Sequence, residues 1–153
     1  MTGSAQRLTG SRLRDIQQAS YLLHVMAERQ QAHYAACAAE FGLTAAQAKV
    51  LMSLEPGQSL PMRVLAQRAR SDPSNFTGLA DKLEARGALR RRPDPSDRRI
   101  KTLTLTAEGR RLREAFWERL TTDPGPIAPL TAAQVRQLSE LLLAALELPH
   151  DGS

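Results

Sequence analysis

Three polar residues at the start of a predicted helix have side chains that can form hydrogen bonds with an outside partner. Asp72-Pro73 is typical of a helix N-cap followed by the first helical residue, so Ser74, Asn75 and Thr77 fall in the first turns. The amide of Asn75 can donate and accept together, which matches the N6 and N7 atoms of adenine in the major groove. Ser74 and Thr77 can reach either bases or phosphates. The alternative is that Ser74 and Asn75 only cap the helix.

A set of basic residues follows this helix. Arg98, Lys101 and the run from Arg90 to Arg92 are predicted to contact phosphates, which position a protein on a duplex and make its affinity depend on salt. Arg99 lies two residues after Asp97, and we expect the carboxylate to fold back and orient the Arg99 guanidinium. Some of these cations are expected to be only solvated.

The positive charge of the chain is concentrated around these two groups. Residues 63–101 contain eleven Lys or Arg and five Asp or Glu, whereas the rest of the chain contains ten and eleven. A focused basic zone suits a polyanion, because each phosphate that is neutralised releases condensed counterions. The alternatives are a solvated face or a coding bias toward Arg, but a bias would spread Arg evenly along the chain.

The remaining reactive residue types do not form a catalytic or metal-binding pattern. His24, His33 and His150 have no carboxylate or cysteine at metal-ligand spacing, and no nucleophile has an adjacent base. A glycine-rich phosphate loop is also absent from the sequence. We therefore expect no enzyme activity, no metal and no cofactor.

Cys37 is the only cysteine, so an intrachain disulfide and a multi-cysteine zinc site are excluded. It falls on the apolar stripe of the first predicted helix, which favours a buried, inert thiol. The alternative is a thiol redox sensor.

Length and composition favour one ordinary globular domain. The chain has 153 residues, of which 42% are hydrophobic and 24% charged. Its longest apolar stretches are only a few residues, and no basic segment followed by an apolar run opens it. We expect a cytoplasmic protein with no membrane segment.

The elements that position the polar residues are mostly helices. Apolar residues recur every three or four positions in six segments that carry their own start or stop residues. These segments run from about Arg12 to Phe41, from the Thr44/Gln47 capping box to before Pro56, from Pro61 to about Ala69, from Asp72 to a stop at Gly87, from Thr106 through Leu120, and from the Thr131/Gln134 capping box through Leu146. Three prolines between Asp123 and Pro129 predict a break before the last helix, which acts either as a hinge or as a rigid change of direction.

The segment after the fourth helix changes to a strand pattern. Leu89 to Arg92 and Ile100 to Leu105 are predicted strands, joined by a turn-rich tip from Pro93 to Asp97. Two short helices joined by a tight turn are typical of a helix-turn-helix, and a hairpin after it makes a winged helix. The predicted fold class is mainly α (α+β), a winged helix-turn-helix with a two-stranded β-wing.

Three motifs in this region resemble the MarR family of bacterial transcriptional regulators. They are DKLEARGAL at 81–89, DPSDRR at 94–99 and LTLTAEG at 103–109. The resemblance extends to the long first helix and the closing helix. It implies a homodimer that holds two winged helices over a pseudo-palindromic operator of double-stranded DNA, and it places Arg99 in the minor groove. A narrow A·T-rich groove attracts Arg because its potential is more negative.

The resemblance also implies a division of the chain and a ligand-responsive repressor with a small-molecule effector. The implied regions are a helical dimerisation region at 12–43 and 107–148 and a DNA-binding domain at 44–106, and we expect flexible termini at 1–11 and 149–153. Candidate effector-pocket residues are His24, Met26, Tyr34 and Trp117, although helical spacing makes them core residues by default. The rival functions are redox sensing through Cys37 and a winged-helix adaptor that binds protein instead of DNA.

Overall fold

The computed structural model describes residues 10–146, and this part of the chain is mainly helical with one small sheet, as predicted. Its helices are α1 Gly10–Glu40, α2 Ala45–Met52, α3 Met62–Arg68, α4 Pro73–Ala85, α5 Ala107–Thr122 and α6 Ala132–Ala145. Its strands are β1 Ser59–Pro61, β2 Leu89–Pro93 and β3 Lys101–Leu105. Gly10 and Ser11, expected in a flexible N-terminus, belong to α1. Three parts of the expected division lie outside the described residues: positions 1–9 of the N-terminus, positions 147–148 of the dimerisation region, and the C-terminus at 149–153.

Two helices begin at the predicted capping boxes. The Gln47 N–H donates to Thr44 Oγ1 at 3.2 Å, and the Thr44 N–H donates to Gln47 Oε1 at 2.8 Å. Thr131 and Gln134 repeat the arrangement at α6. Each box satisfies two N–H groups that a helix start leaves without a partner, so both starts are fixed by local sequence.

Two helices end at the predicted glycines. Gly42 and Gly87 have φ of 63° and 79°, in the left-handed region that a Cβ disfavours. After α4, the Gly87 N–H donates to Glu84 O and the Ala88 N–H to Leu83 O, which is the Schellman arrangement. This stop turns the chain directly from α4 into β2.

The wing belongs to a three-stranded antiparallel sheet of order β1-β3-β2. The predicted hairpin is confirmed, with Leu89 opposite Leu105 and Arg91 opposite Leu103. The short strand β1 was not predicted. It pairs Leu60 with Leu103, and the Ser59 hydroxyl donates to Thr102 Oγ1 at 2.9 Å.

The start of α5 packs closely against the start of β2. A Cβ on Gly109 would lie 2.0 Å from the Ala88 carbonyl oxygen, so only glycine fits without a shift. Thr106 ties the same junction, because its hydroxyl donates to Gly87 O and accepts the Gly109 N–H at 3.0 Å. The wing is therefore held to the helices at its base.

The chain divides into two compact units. Residues 31–122 form one unit, and its core includes Leu51, Leu65, Phe76, Leu83 and Phe116. Edge-to-face contacts join Phe116 to Tyr34 and Phe41, with ring centroids 5.2 and 5.7 Å apart.

The other unit comprises, among the described residues, 10–30 and 123–146, and none of these residues is buried. Its exposed large apolar side chains are those of Leu13, Ile16, Tyr21, Leu22, Leu23, Met26, Leu141 and Leu146. The predicted break before α6 is confirmed, since α5 ends at Thr122 and a 3-10 turn at Gly125–Ile127 follows. Within residues 10–146, no helix is both long and apolar enough to cross a membrane.

Candidate nucleic-acid interface

Helix α4 begins where the sequence predicts, with Asp72 as its N-cap residue. Asp72 has the extended backbone of an N-cap, and its carbonyl accepts the Phe76 N–H at 2.8 Å. Its carboxylate makes no capping hydrogen bond. Pro73 occupies the first helical position, where its missing N–H costs nothing.

Helix α4 presents one apolar and one polar face. Phe76 is 1% exposed and Leu83 is fully buried, so these side chains hold the helix to the core. Ser74, Asn75 and Thr77 are all exposed.

The polar residues of α4 differ in their own hydrogen bonds. The Thr77 hydroxyl donates back to Pro73 O at 3.3 Å. Neither the Ser74 nor the Asn75 side chain forms a hydrogen bond in the part of the chain that the structure describes. Neither side chain caps the helix in this structure, so both remain available to a ligand.

The wing tip is a network built on two aspartates. The Asp94 carboxylate accepts the hydroxyl and the N–H of Ser96, the latter at 2.8 Å, and these bonds lower the pKa of Asp94. Asp97 Oδ1 accepts the backbone N–H of Arg99 at 2.9 Å. The expectation that Asp97 orients the Arg99 guanidinium is corrected: Asp97 fixes the Arg99 backbone and leaves the guanidinium exposed.

The predicted phosphate contacts separate into two groups. Arg91 lies on the face of the wing that meets α4, and its guanidinium forms ion pairs with Asp81 and with Glu84, the latter at 3.0 Å. The Arg91 N–H also donates to Glu84 Oε1. The prediction that Arg91 contacts phosphate is therefore corrected to a structural role.

The other predicted cations of the wing point away from these carboxylates. Successive residues of a strand face opposite sides, so Arg90 and Arg92 lie on the outer face. Both are exposed, as are Arg98, Arg99 and Lys101. Within residues 10–146 none of the five forms a salt bridge. Their charge is available to an anionic partner.

The sequence analysis did not predict the roles of two further cations, Arg110 and Arg86. Arg110, in the first turn of α5, lines a cleft of about 190 Å³ with Arg90 and Arg92. Its position four residues after Thr106 could have indicated that it lies near the wing, because Thr106 starts α5 at the base of the wing. Arg86 has a structural role instead, because its guanidinium donates to Phe41 O and Gly42 O and satisfies the end of α1.

The four predicted effector-pocket residues are divided between the two compact units. Tyr34 lines a cavity of about 350 Å³, and burial raises its pKa to about 12. Trp117 is 57% exposed and does not line this cavity. His24 and Met26 belong to the other compact unit, where the His24 Nε2 lies 3.3 Å from Glu28. The cavity residues beside Tyr34 are Lys49, Met52, Ser53, Arg68, Ala69 and Arg70.

Cys37 is buried, as the sequence favoured. Its side chain is 1% exposed, and its Sγ lies 3.5 Å from His33 Nε2. No group of three or more His, Cys, Asp or Glu side chains that could hold a metal occurs among residues 10–146.

A helix-turn-helix with an exposed polar recognition face, followed by a cationic hairpin, defines a winged-helix protein. A model of the MarR family matches residues 43–101, which extend from before α2 to the start of β3. The HTH-type transcriptional repressor MdtR of Bacillus subtilis (strain 168) is 41% identical over 68 residues. This match spans 44% of the present chain and 44% of the length of that repressor.

Solved structures extend the similarity over most of the chain. Wild-type MarR from E. coli, in its apo form, is 26% identical with a TM-score of 0.73, covering 83% of this chain and 95% of that one. CouR from Rhodococcus jostii, bound to p-coumaroyl-CoA, is 30% identical with a TM-score of 0.71, covering 83% and 90%. The chain belongs to the MarR family.

Proposed function

We propose that this protein is a homodimeric transcriptional regulator that binds a pseudo-palindromic duplex and represses transcription until a small molecule releases it. The proposal depends mainly on two exposed groups of side chains, the polar residues of α4 and the cations of the wing. The side chains of Ser74 and Asn75 have no hydrogen bond among residues 10–146. Five wing cations form no salt bridge with any of these residues, namely Arg90, Arg92, Arg98, Arg99 and Lys101. Polar side chains and positive charges that have no partner within the protein are suited to bind a polar, anionic ligand.

Each group has its own role in this proposal. Asn75 reads an adenine in the major groove, while Ser74 and Thr77 contact bases or phosphates. Arg99 enters the adjacent minor groove, and Asp97 supports it by fixing its backbone. The cations Arg90, Arg92, Arg98 and Lys101 contact phosphates.

The dimer is supported by the apolar surface of the unit formed by residues 10–30 and 123–146. This unit exposes Leu22, Leu23, Leu141 and Leu146 by 50% or more. Large apolar side chains exposed in such number are typical of an interaction surface, and a second copy would cover them. Two-fold symmetry would then present two α4 helices to half-sites roughly 34 Å apart.

Selection from a random duplex library tests DNA binding without knowledge of the operator. We expect the protein to enrich an inverted repeat, and a mobility shift to show that it binds this duplex more tightly than a scrambled one. The Asn75→Ala variant should lose the preference at one base pair of each half-site, whereas Arg91→Ala should keep it. Failure to enrich any duplex would favour the rival winged-helix adaptor that binds protein.

A small anionic effector is supported by the cavity beside Tyr34. Met52 and Ala69 supply apolar contact there, Lys49 and Arg68 supply positive charge, and the neutral phenol of Tyr34 can donate a hydrogen bond. The similarity to CouR, whose structure holds p-coumaroyl-CoA, makes an aromatic acid or its thioester a suitable first ligand class.

Thermal melting tests the effector site. We expect p-coumaroyl-CoA or p-coumarate to raise the Tm and to weaken DNA binding, and Tyr34→Phe to reduce both effects. Trp117→Phe serves as the control, because Trp117 does not line the cavity. An equal response in the two variants would remove this cavity as the effector site.

A further inference from the structure

The turn between α3 and α4 carries a backbone conformation that its side chain disfavours. Arg70 has a φ of 50°, in the left-handed region where a Cβ crowds the backbone. Every other positive-φ residue in the described ranges is a glycine. The Arg70 N–H donates to Gln67 O at 3.1 Å and the Ser71 N–H to Ala66 O at 3.0 Å, so this is a Schellman helix end that glycine would form without strain.

Arg70 shares a cavity with Asn75, the predicted base reader. Arg70 and Lys49 of α2 both line a cavity of about 320 Å³ that Asn75 also lines. Both cations are exposed, and neither forms a salt bridge with any residue that the structure describes. Asp72 is the one carboxylate that lines this cavity. Two positive charges therefore outnumber one negative charge next to the start of the recognition helix.

We propose that Arg70, supported by Lys49, binds a phosphate of the DNA backbone next to the bases that α4 reads. The inference rests on the proposed DNA binding and adds a contact that the sequence motifs do not indicate. A guanidinium can meet two phosphate oxygens with parallel hydrogen bonds, so this contact fixes the register of α4 in the groove. This contact explains why position 70 is an arginine, although a glycine would form the left-handed turn with less strain.

Three substitutions separate the charge of Arg70 from its backbone strain. Arg70→Gly removes both, Arg70→Ala removes the charge and keeps the strain, and Arg70→Lys keeps both. For the duplex enriched by the wild type, we expect roughly tenfold weaker binding for the Gly and Ala variants. The slope of log affinity against log salt should become shallower by about 0.9 for both, because one phosphate contact is lost. The Lys variant should keep the wild-type slope.

The thermal midpoint provides a readout that does not depend on DNA. The Gly variant should melt roughly 2 to 4 °C above the Ala variant, since it lacks the Cβ that the left-handed turn disfavours. A Gly variant that melts no higher than the Ala variant would contradict the strain.

Each binding outcome has a separate consequence. If the wild type binds DNA and Arg70→Gly binds with unchanged affinity and salt slope, the Arg70 contact is overturned and the proposed function stands. If the wild type binds no duplex, both are overturned.

Discussion

Arg99 and Arg91 carry the same charge on one wing but have different surroundings. The Arg91 guanidinium already lies between Asp81 and Glu84, whereas that of Arg99 is exposed and only its backbone is held. We expect Arg99→Ala to weaken operator binding by roughly 1 to 3 kcal/mol, mainly where the half-sites have A·T-rich flanks. Fluorescence anisotropy on duplexes with A·T-rich and G·C-rich flanks measures this difference.

Arg91→Ala is the matched control, because it removes the same charge. It should lower the Tm because Asp81 and Glu84 of α4 lose their ion pairs, and it should leave the flank preference unchanged. Equal weakening by Arg99→Ala on every flank would reduce Arg99 to a phosphate contact.

The burial of Cys37 favours an inert thiol over a redox sensor. A thiol that is 1% exposed and lies in the core of the unit formed by residues 31–122 is poorly accessible to peroxide. We expect DNA binding by the wild type to be unchanged after mild peroxide treatment, and Cys37→Ala to behave in the same way with a loss of about 1 kcal/mol in stability. Peroxide release of the wild type but not of Cys37→Ala would instead support the redox sensor.

At the scale of elements, two glycines with opposite surroundings test how the wing is held. Gly109 has the Ala88 carbonyl oxygen 2.0 Å from where a Cβ would stand, whereas Gly78 in α4 has nothing within 4 Å. Gly109→Ala should destabilise the protein by roughly 1 to 3 kcal/mol. Gly78→Ala should stabilise it by roughly 0.5 to 1 kcal/mol, because alanine favours a helix interior. Urea unfolding measures both, and the same sign for the two variants would contradict this packing.

Elements with local signals could be predicted from the sequence, and those with distant partners could not. The capping boxes at Thr44 and Thr131 and the stops at Gly42 and Gly87 act within one turn of chain, so the helix ends follow from neighbouring residues. Strand β1 has three residues, too few for an alternating pattern, and it exists only because β3 lies beside it.

The same distinction applies within the candidate site. The exposure of Ser74 and Asn75 follows from helical periodicity, but the carboxylates that hold Arg91 come from α4, seven and ten residues away along the chain. Of the four expected effector-pocket residues, Tyr34 lines the cavity beside Lys49 and Arg68. The other residues of this cavity come mainly from α2 and the end of α3, which the spacing of residues within α1 does not indicate.

At the scale of the whole molecule, the exposed leucines predict a dimer. Leu141 of α6 is 63% exposed. It belongs to the unit whose described residues, 10–30 and 123–146, include no buried residue. We expect light scattering after size exclusion to show a dimer for the wild type, and a monomer or aggregate for Leu141→Glu. Arg136→Gln changes the net charge by the same amount at another exposed position of α6 and should stay dimeric.

Truncation gives a stronger test of the same surface. Removal of the chain from Thr131 onward deletes α6, and it should yield an aggregated or unfolded product. A soluble monomer that still binds DNA would contradict an obligate dimer.

Binding of the enriched duplex and of a scrambled duplex across a range of salt concentrations tests sequence-specific DNA binding most directly. We expect log affinity for both to fall linearly with log salt, with a slope near −0.9 for each phosphate that is neutralised. The enriched duplex should bind roughly 10³-fold or more tightly at physiological salt, because base contacts add to the phosphate contacts. Equal affinity for the two duplexes, or affinity that does not change with salt, would contradict it.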